Sequence, residues 1–274
     1  MNRLFTFGCS FTQYNWAMWP EIVKFEHKPK KFYNYGRPGA GNRYIAHQVS
    51  LANLNHKFTP DDMVMICWTH FYRNDWFVPD IRNDEDGGWE TMGNAYNPHG
   101  LNKMLPEDSN IESNMLSRDL NYIYLTISML NNLNISNHQL QIVDLTSGDS
   151  VVNLDEKNLT HNEISPFVEF CKQHIADPYV DIVNVWPDWF SEFPGDQESK
   201  RCDYHPMPMG HIHYLETALE MSISDETKEV AQRCQDSVFE YIRKERKHYP
   251  EDHGDFNKLF EDDTGEYKFM DNFK

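Results

Sequence analysis

The sequence predicts an α/β fold: a three-layer α/β/α sandwich on about five parallel strands, with the first strand near the middle. Three observations predict it. Met63–Trp68 (MVMICW) is a nearly unbroken apolar run, which suits a strand buried on both faces of a parallel sheet. Short apolar runs alternate with longer stretches of helical spacing, the pattern of repeated βαβ units. The chain has 274 residues, enough for one such domain to bury its own core.

The elements follow in order. Arg3–Gly8 (RLFTFG) is a short apolar run ended by glycine, which reads as a strand and a sharp turn. Trp16–Phe25 carries apolar residues at helical spacing. Phe32–Tyr35 is a second strand, followed by the turn Gly36-Arg37-Pro38-Gly39-Ala40-Gly41 and a helix from Asn42 to Leu54. Met63–Trp68 is the third strand. From His70 to Pro106 the periodicity dissolves into Gly, Asn, Asp and Pro mixed with Phe71, Tyr72, Trp76, Phe77, Trp89 and Tyr96. A stretch this long without elements is an insertion or a functional cap, expected over the carboxyl end of the sheet. Glu112–Leu133 is a long helix, Gln139–Leu145 a fourth strand, Pro166–Ile175 a helix and Val180–Val185 a short fifth strand. Pro208–Met221 and Glu226–Lys247 close the series as helices. The strand order expected from this alternation is flavodoxin-like. Residues 1–222 would form the α/β domain, with the insertion at 70–110, and residues 223–274 a C-terminal helix and acidic tail.

Composition narrows the partners. The formal net charge is −18, which repels phosphate backbones and anionic membranes, so neither nucleic acid nor a membrane is expected. Much of the acid sits in Asp84-Glu85-Asp86 and in Glu251–Glu266, read as solvated loop and tail. The five cysteines, Cys9, Cys67, Cys171, Cys202 and Cys234, show no metal-type spacing. With no apolar signal core at the N-terminus, a cytosolic chain with reduced thiols is expected. The Asn134 and Asn158 sequons are then silent. No cofactor is expected.

In a doubly wound sheet, ligands bind beyond the carboxyl ends of the strands. After strand one stands Gly8-Cys9-Ser10-Phe11-Thr12. Ser10 there either caps the helix that follows or presents its hydroxyl at the rim. After strand two, the glycines of the Gly36–Gly41 turn, up to Asn42, let backbone N–H groups approach a ligand. After strand three, Trp68-Thr69-His70 with Arg73-Asn74-Asp75 places polar groups at the end of a buried strand. Before the Pro208 helix, Asp203-Tyr204-His205-Pro206 sets an acid and an imidazole two residues apart. Asp203, His205, His211 and His213 do not read as a metal site, because residues i and i+2 on a helix face different ways.

Taken together, order and spacing resemble the SGNH (GDSL-type) hydrolases over residues 3–222. The resemblance is carried by Gly-Cys-Ser-Phe-Thr and Asp-Tyr-His-Pro, and the whole pattern, with Trp68-Thr69 and Arg73, looks like a divergent subgroup found among tailed-phage proteins. It implies that Ser10 attacks an acyl carbonyl and His205 takes its proton, with Asp203 orienting His205. It implies an oxyanion site from the N–H groups of Ser10 and Gly39 and a side chain. Asn42, Thr69, His70, Arg73 and Asn74 are the candidate binding residues. Cys9 stands where the family has Asp, the Asn after strand three has no clean counterpart, and Cys202 holds the usual place of the acid. The literal Gly148-Asp149-Ser150 follows the fourth strand and reads as a coincidental turn.

The implied function is a serine esterase or deacetylase acting on small acyl groups, borne by a small molecule or a glycan. The alternative is an SGNH-like structural or binding protein with weak or lost chemistry, such as a phage virion component. The acidic tail is the expected surface for a protein partner or a second copy.

Overall fold

The structure is a computed structural model that describes residues 1–14, 16–71, 73–77, 89–91, 111–146, 160–179 and 205–245. It is a mixed α/β fold with a parallel sheet of four strands and, among the described residues, six helices. The strands are β1 (Arg3–Gly8), β2 (Lys31–Gly36), β3 (Met63–Trp68) and, after a short hairpin, β6 (Ser136–Gln141). Their order is β2-β1-β3-β6, all parallel, with β1 internal as its apolar run requires. The expected fifth strand, Val180–Val185, lies outside the described residues.

The chain forms two compact units. The first holds the sheet, with residues Met1–Thr12 and Pro29–Asp181. Within it, α2 (Asn42–His56) and α3 (Ile111–Asn132) pack on each other and on the strands, and α4 (Ser165–His174) packs on α3. The side of α3 that is buried carries Met115, Leu116, Leu120, Ile123, Ile127 and Leu130, an apolar stripe at helical spacing. Arg3 anchors the start of β1. Its guanidinium grips Asp62 through two bonds of 2.8 and 2.6 Å and donates to the carbonyls of His56 and Lys57.

The second unit groups Gln13–Lys28 with Ile182–Lys274. Its described helices are α1 (Trp19–His27), α5 (Pro208–Ala218) and α6 (Asp225–Glu245), which pack on one another. The stripe Thr227, Val230, Ala231, Cys234 and Val238 buries α6 in this bundle. The apolar stripe of α6 needs α5 and α1 to cover it. Ser224 caps α6 by accepting the Thr227 N–H at 3.3 Å, and Glu26 of α1 accepts from the Ser224 N–H and hydroxyl.

Three local differences from the sequence reading have simple causes. Helix α1 starts at Trp19, not Trp16: Pro20 occupies its first turn, and the Glu21 carboxylate accepts the Met18 N–H at 3.2 Å. Strand β6 starts at Ser136 and ends at Gln141. Ladder bonds need only the backbone, so polar Ser136-Asn137-His138 pair with β3, whereas the chain bends after Gln141 as its side-chain carbonyl accepts the Leu145 N–H. The stretch read as having no elements contains an antiparallel hairpin, β4 (Asp75–Phe77) with β5 (Trp89–Thr91). Strands of three residues are too short to show a period of two.

Candidate active site

Ser10 follows the last residues of β1 and is buried. Gly8 is forced by space: a Cβ there would fall on the Thr12 hydroxyl and within 3.0 Å of the Cys67 carbonyl. Thr12 N–H donates to the Cys9 carbonyl at 2.9 Å, so Cys9–Thr12 is a tight turn with Ser10 inside it. Asn34 of β2 ties this turn to the neighbouring strand, donating to the Thr12 carbonyl at 3.2 Å. Cys9 and Cys67 are both buried, and burial, reinforced by the nearby Cys9, pushes the Cys67 thiol well up.

Register fixes the end of the sheet from which the other loops leave. Phe7 pairs with Ile66 and Gly8 with Gly36. The Cys9–Thr12 turn, the Thr69 loop and the Arg37–Ala40 turn therefore leave the sheet at the same, carboxyl end. Here the sheet has its switch point: β1 leads to β2 on one side, while β3 leads to β6 on the other.

The Arg37–Ala40 turn is closed by an Ala40 N–H to Arg37 carbonyl bond of 3.0 Å, and Arg37 N–H donates to the Gly8 carbonyl. Gly39 has φ 78°, the left-handed region that a turn of type II requires at its third residue. Pro38 before it supplies the fixed φ of the second residue.

The loop after β3 is held by a buried polar clamp. Asn42, in the first turn of α2, accepts the Thr69 N–H at 2.9 Å and donates to the Thr69 carbonyl at 2.8 Å. Its second amide hydrogen goes to Asp119 of α3 at 2.9 Å. Both amide hydrogens are thus committed, and Asn42 holds Thr69 rather than offering a donor to a ligand. Asp119 is also bonded to Arg118 at 2.7 Å, and Arg118 reaches the Asn74 side-chain carbonyl at 2.9 Å and the Arg73 carbonyl at 3.3 Å. Burial pushes the Asp119 carboxyl up to about 6, against the pull of Arg118 and Asn42. Arg73 is buried and donates to the Ala40 carbonyl at 3.1 Å, joining the third loop to the second.

Asp75 completes the clamp. Its carboxylate accepts the N–H groups of Gly41 and Tyr44, both at 2.9 Å, and so caps α2 from the neighbouring loop. Gly41 leaves the room for it, since a Cβ there would lie 2.8 Å from the Asp75 carboxylate. Burial raises the Asp75 carboxyl, and these backbone bonds oppose it.

Two polar side chains of the loop differ from the rest. Thr69 is fully buried, and its hydroxyl has no hydrogen-bond partner among the described residues. Burial, with Arg73 beside it, pulls His70 down to about 4, so the ring is neutral at pH 7. The hairpin lies against the same end of the sheet: Thr91 donates to the Pro38 carbonyl at 3.1 Å, and Trp89 meets Tyr44 edge-on at 5.9 Å. Trp76 and Phe77 are exposed. Tyr72, Tyr96 and the remainder of the expected cap lie outside the described residues.

His205 belongs to the second unit, and Ser10 to the first. His205 is half-buried at the entry to α5 and stacks on Tyr14, with centroids 3.8 Å apart and planes 15° apart. Pro206 follows it and Pro208 opens the helix. Further along α5, His211 is fully buried and pulled down to about 3 by burial and then by His205, while His213 is exposed. The two point to opposite sides of the helix. Asp203, Cys202 and Gly148-Asp149-Ser150 lie outside the described residues.

Sequence reasoning placed Asp75 among the polar groups after strand three but missed Arg118, Asp119 and Tyr14. Asp119 had a signal: it is an acid inside the apolar stripe of α3, four residues after Met115 and four before Ile123. Tyr14 had none, because it lies in a segment with no periodicity.

Comparison with known proteins adds the following. No protein-family model and no curated protein matches the chain. Among solved structures, it is similar to a lipolytic protein of the G-D-S-L family from Desulfitobacterium hafniense, at 13% identity and TM-score 0.41, over 78% of this chain and 95% of that one. It is similar to a psychrotrophic esterase from Pseudoalteromonas at 11% identity and TM-score 0.40, over 80% and 97%. An acetylxylan esterase from Geobacillus stearothermophilus, solved as a catalytic mutant, gives 11% identity and TM-score 0.40, over 78% and 93%.

Proposed function

We propose that this chain is an SGNH-type serine ester hydrolase, with Ser10 as nucleophile and His205 as base, acting on small acyl esters such as those borne by glycans. The observation that carries the reading is the setting of Ser10. It sits in a glycine-dependent turn at the carboxyl end of the internal strand, the end of the sheet from which the Gly39 turn and the Thr69 loop also leave.

The chemistry follows from those groups. Ser10 Oγ attacks the ester carbonyl carbon while His205 takes its proton. The carbonyl oxygen becomes an oxyanion, held by the N–H groups of Ser10 and Gly39 and by the Thr69 hydroxyl. Thr69 is assigned in preference to Asn42 because both amide hydrogens of Asn42 serve the clamp, whereas the Thr69 hydroxyl has no partner among the described residues. The intermediate collapses, the alcohol leaves with the proton from His205, and water repeats the sequence to free the acid and restore Ser10. Asp203 is the proposed partner for the other ring nitrogen of His205.

Turnover of a chromogenic acetate ester tests this. Ser10→Ala and His205→Ala should each lower kcat by about a thousandfold or more, and the double variant should be scarcely worse than either. A fluorophosphonate probe should label Ser10 in the wild type. Full activity in Ser10→Ala, or labelling at Ser150, would overturn the assignment. A well-folded wild type that turns over no acyl ester would overturn the hydrolase reading and favour the alternative, an inert binding or structural protein.

A further inference from the structure

We infer that Tyr14 is the positioning residue for the His205 imidazole, holding the ring by its face. The inference rests on His205 being the base of the proposed reaction. It starts from a closed circuit of contacts within the second unit. Tyr14 stacks on His205 at 3.8 Å. Tyr14 also meets Trp16 edge-on, with centroids 4.7 Å apart and planes at 82°. The Trp16 indole N–H donates to the carbonyl of Pro206 at 2.9 Å, and Pro206 is bonded to His205. Each member is therefore fixed from two sides.

The base of a serine hydrolase has to present one ring nitrogen in one direction. An imidazole turns about two side-chain torsions, and the second is broad. A hydrogen bond to the other ring nitrogen is one restraint. A parallel aromatic face is another, because turning the imidazole about its second torsion breaks the stack. The stack uses only the face of the ring and leaves the edge, where both nitrogens lie, to other partners. The backbone is fixed as well: the residue before a proline is confined to extended conformations, and Trp16 pins the proline carbonyl. In a chain whose candidate acid lies two residues from the histidine, a restraint that does not depend on an acid at a fixed spacing has a clear use.

The experiment compares Tyr14→Leu with Tyr14→Phe in the full chain. Leucine fills space without a ring face, and phenylalanine restores the face without the hydroxyl. Tyr14→Leu should lower kcat for the acetate ester by about three- to tenfold with KM unchanged, the range an aromatic pair supplies. Tyr14→Phe should match the wild type. The His205 ring C–H resonances, assigned by their loss in His205→Gln, should lie upfield in the wild type and in Tyr14→Phe through the ring current. They should move downfield in Tyr14→Leu. Wild-type kcat in Tyr14→Leu, or failure of Tyr14→Phe to restore it, would overturn the positioning role. Resonances that do not move in Tyr14→Leu would overturn the stack itself. A wild type without esterase activity would remove the base, and Tyr14's role with it, while leaving the resonance result to stand or fall separately.

Discussion

At the end of β3, Thr69 is held by hydrogen bonds and buried charge: Asn42 on its backbone, Asp119 and Arg118 behind Asn42, and Asp75 capping α2 alongside. At the start of α5, His205 is held by rings: Tyr14 on its face, Trp16 behind Tyr14, and one indole bond to Pro206. The two regions fix a side chain or a loop by opposite physics. A buried polar clamp is strong only while every member is paired, since a lost partner leaves a desolvated group behind. An aromatic brace fails by degrees, because each contact is worth little and leaves no unpaired charge when it goes.

Removing one charge from the clamp should have the largest effect on stability. Asp119→Ala leaves Arg118 and Asn42 without their buried partner and should cost about 3 kcal/mol in urea unfolding. A loss well under 1 kcal/mol would mean that the clamp tolerates a gap, and the contrast with the brace would collapse.

The clamp should also respond to pH in a direction of its own. The Asp119 carboxyl is raised to about 6 in the folded chain, above its ordinary value near 4. The folded state therefore binds that proton more tightly than the unfolded state. Its contribution to stability is full below about pH 4 and is lost as pH rises through about 6. Asp62 works the other way. Burial tends to raise it, but the bonds from Arg3 and Thr59 prevail and hold it low, so its contribution is lost as pH falls. Comparing wild type with Asp119→Asn cancels Asp62. The difference should shift toward the wild type as pH drops from 7 to 4, and a flat difference would show that Asp119 does not titrate in this range.

Next in size is the brace. Trp16→Phe keeps a ring but removes the bond to Pro206, and should cost about 1–2 kcal/mol in the same assay. The smallest effect belongs to the surface. Lys28 and Glu226 lie 3.6 Å apart with both side chains well exposed, so Glu226→Gln should leave the urea midpoint unchanged.

By itself the sequence determined the α/β class, the strand at Met63–Trp68 and the internal first strand, because strands buried on both faces must read as apolar runs. It also singled out the glycine beside Ser10 and the Pro38-Gly39 turn, because steric demands of the backbone narrow the choice of residue. Helix ends were legible to within a turn, with Asn42 and Pro208 marking true starts. What only the tertiary structure decided was the use of the polar residues. Asn42 read as a possible ligand donor, but Thr69 and Asp119, 27 and 77 residues away along the chain, take both of its amide hydrogens. Tyr14 and His205 face each other across 191 residues with no periodicity to announce the pair. Local spacing encodes which face of an element meets the core. It does not encode which hydrogen bond or ring face a side chain finds there, since that partner comes from an element folded in from elsewhere.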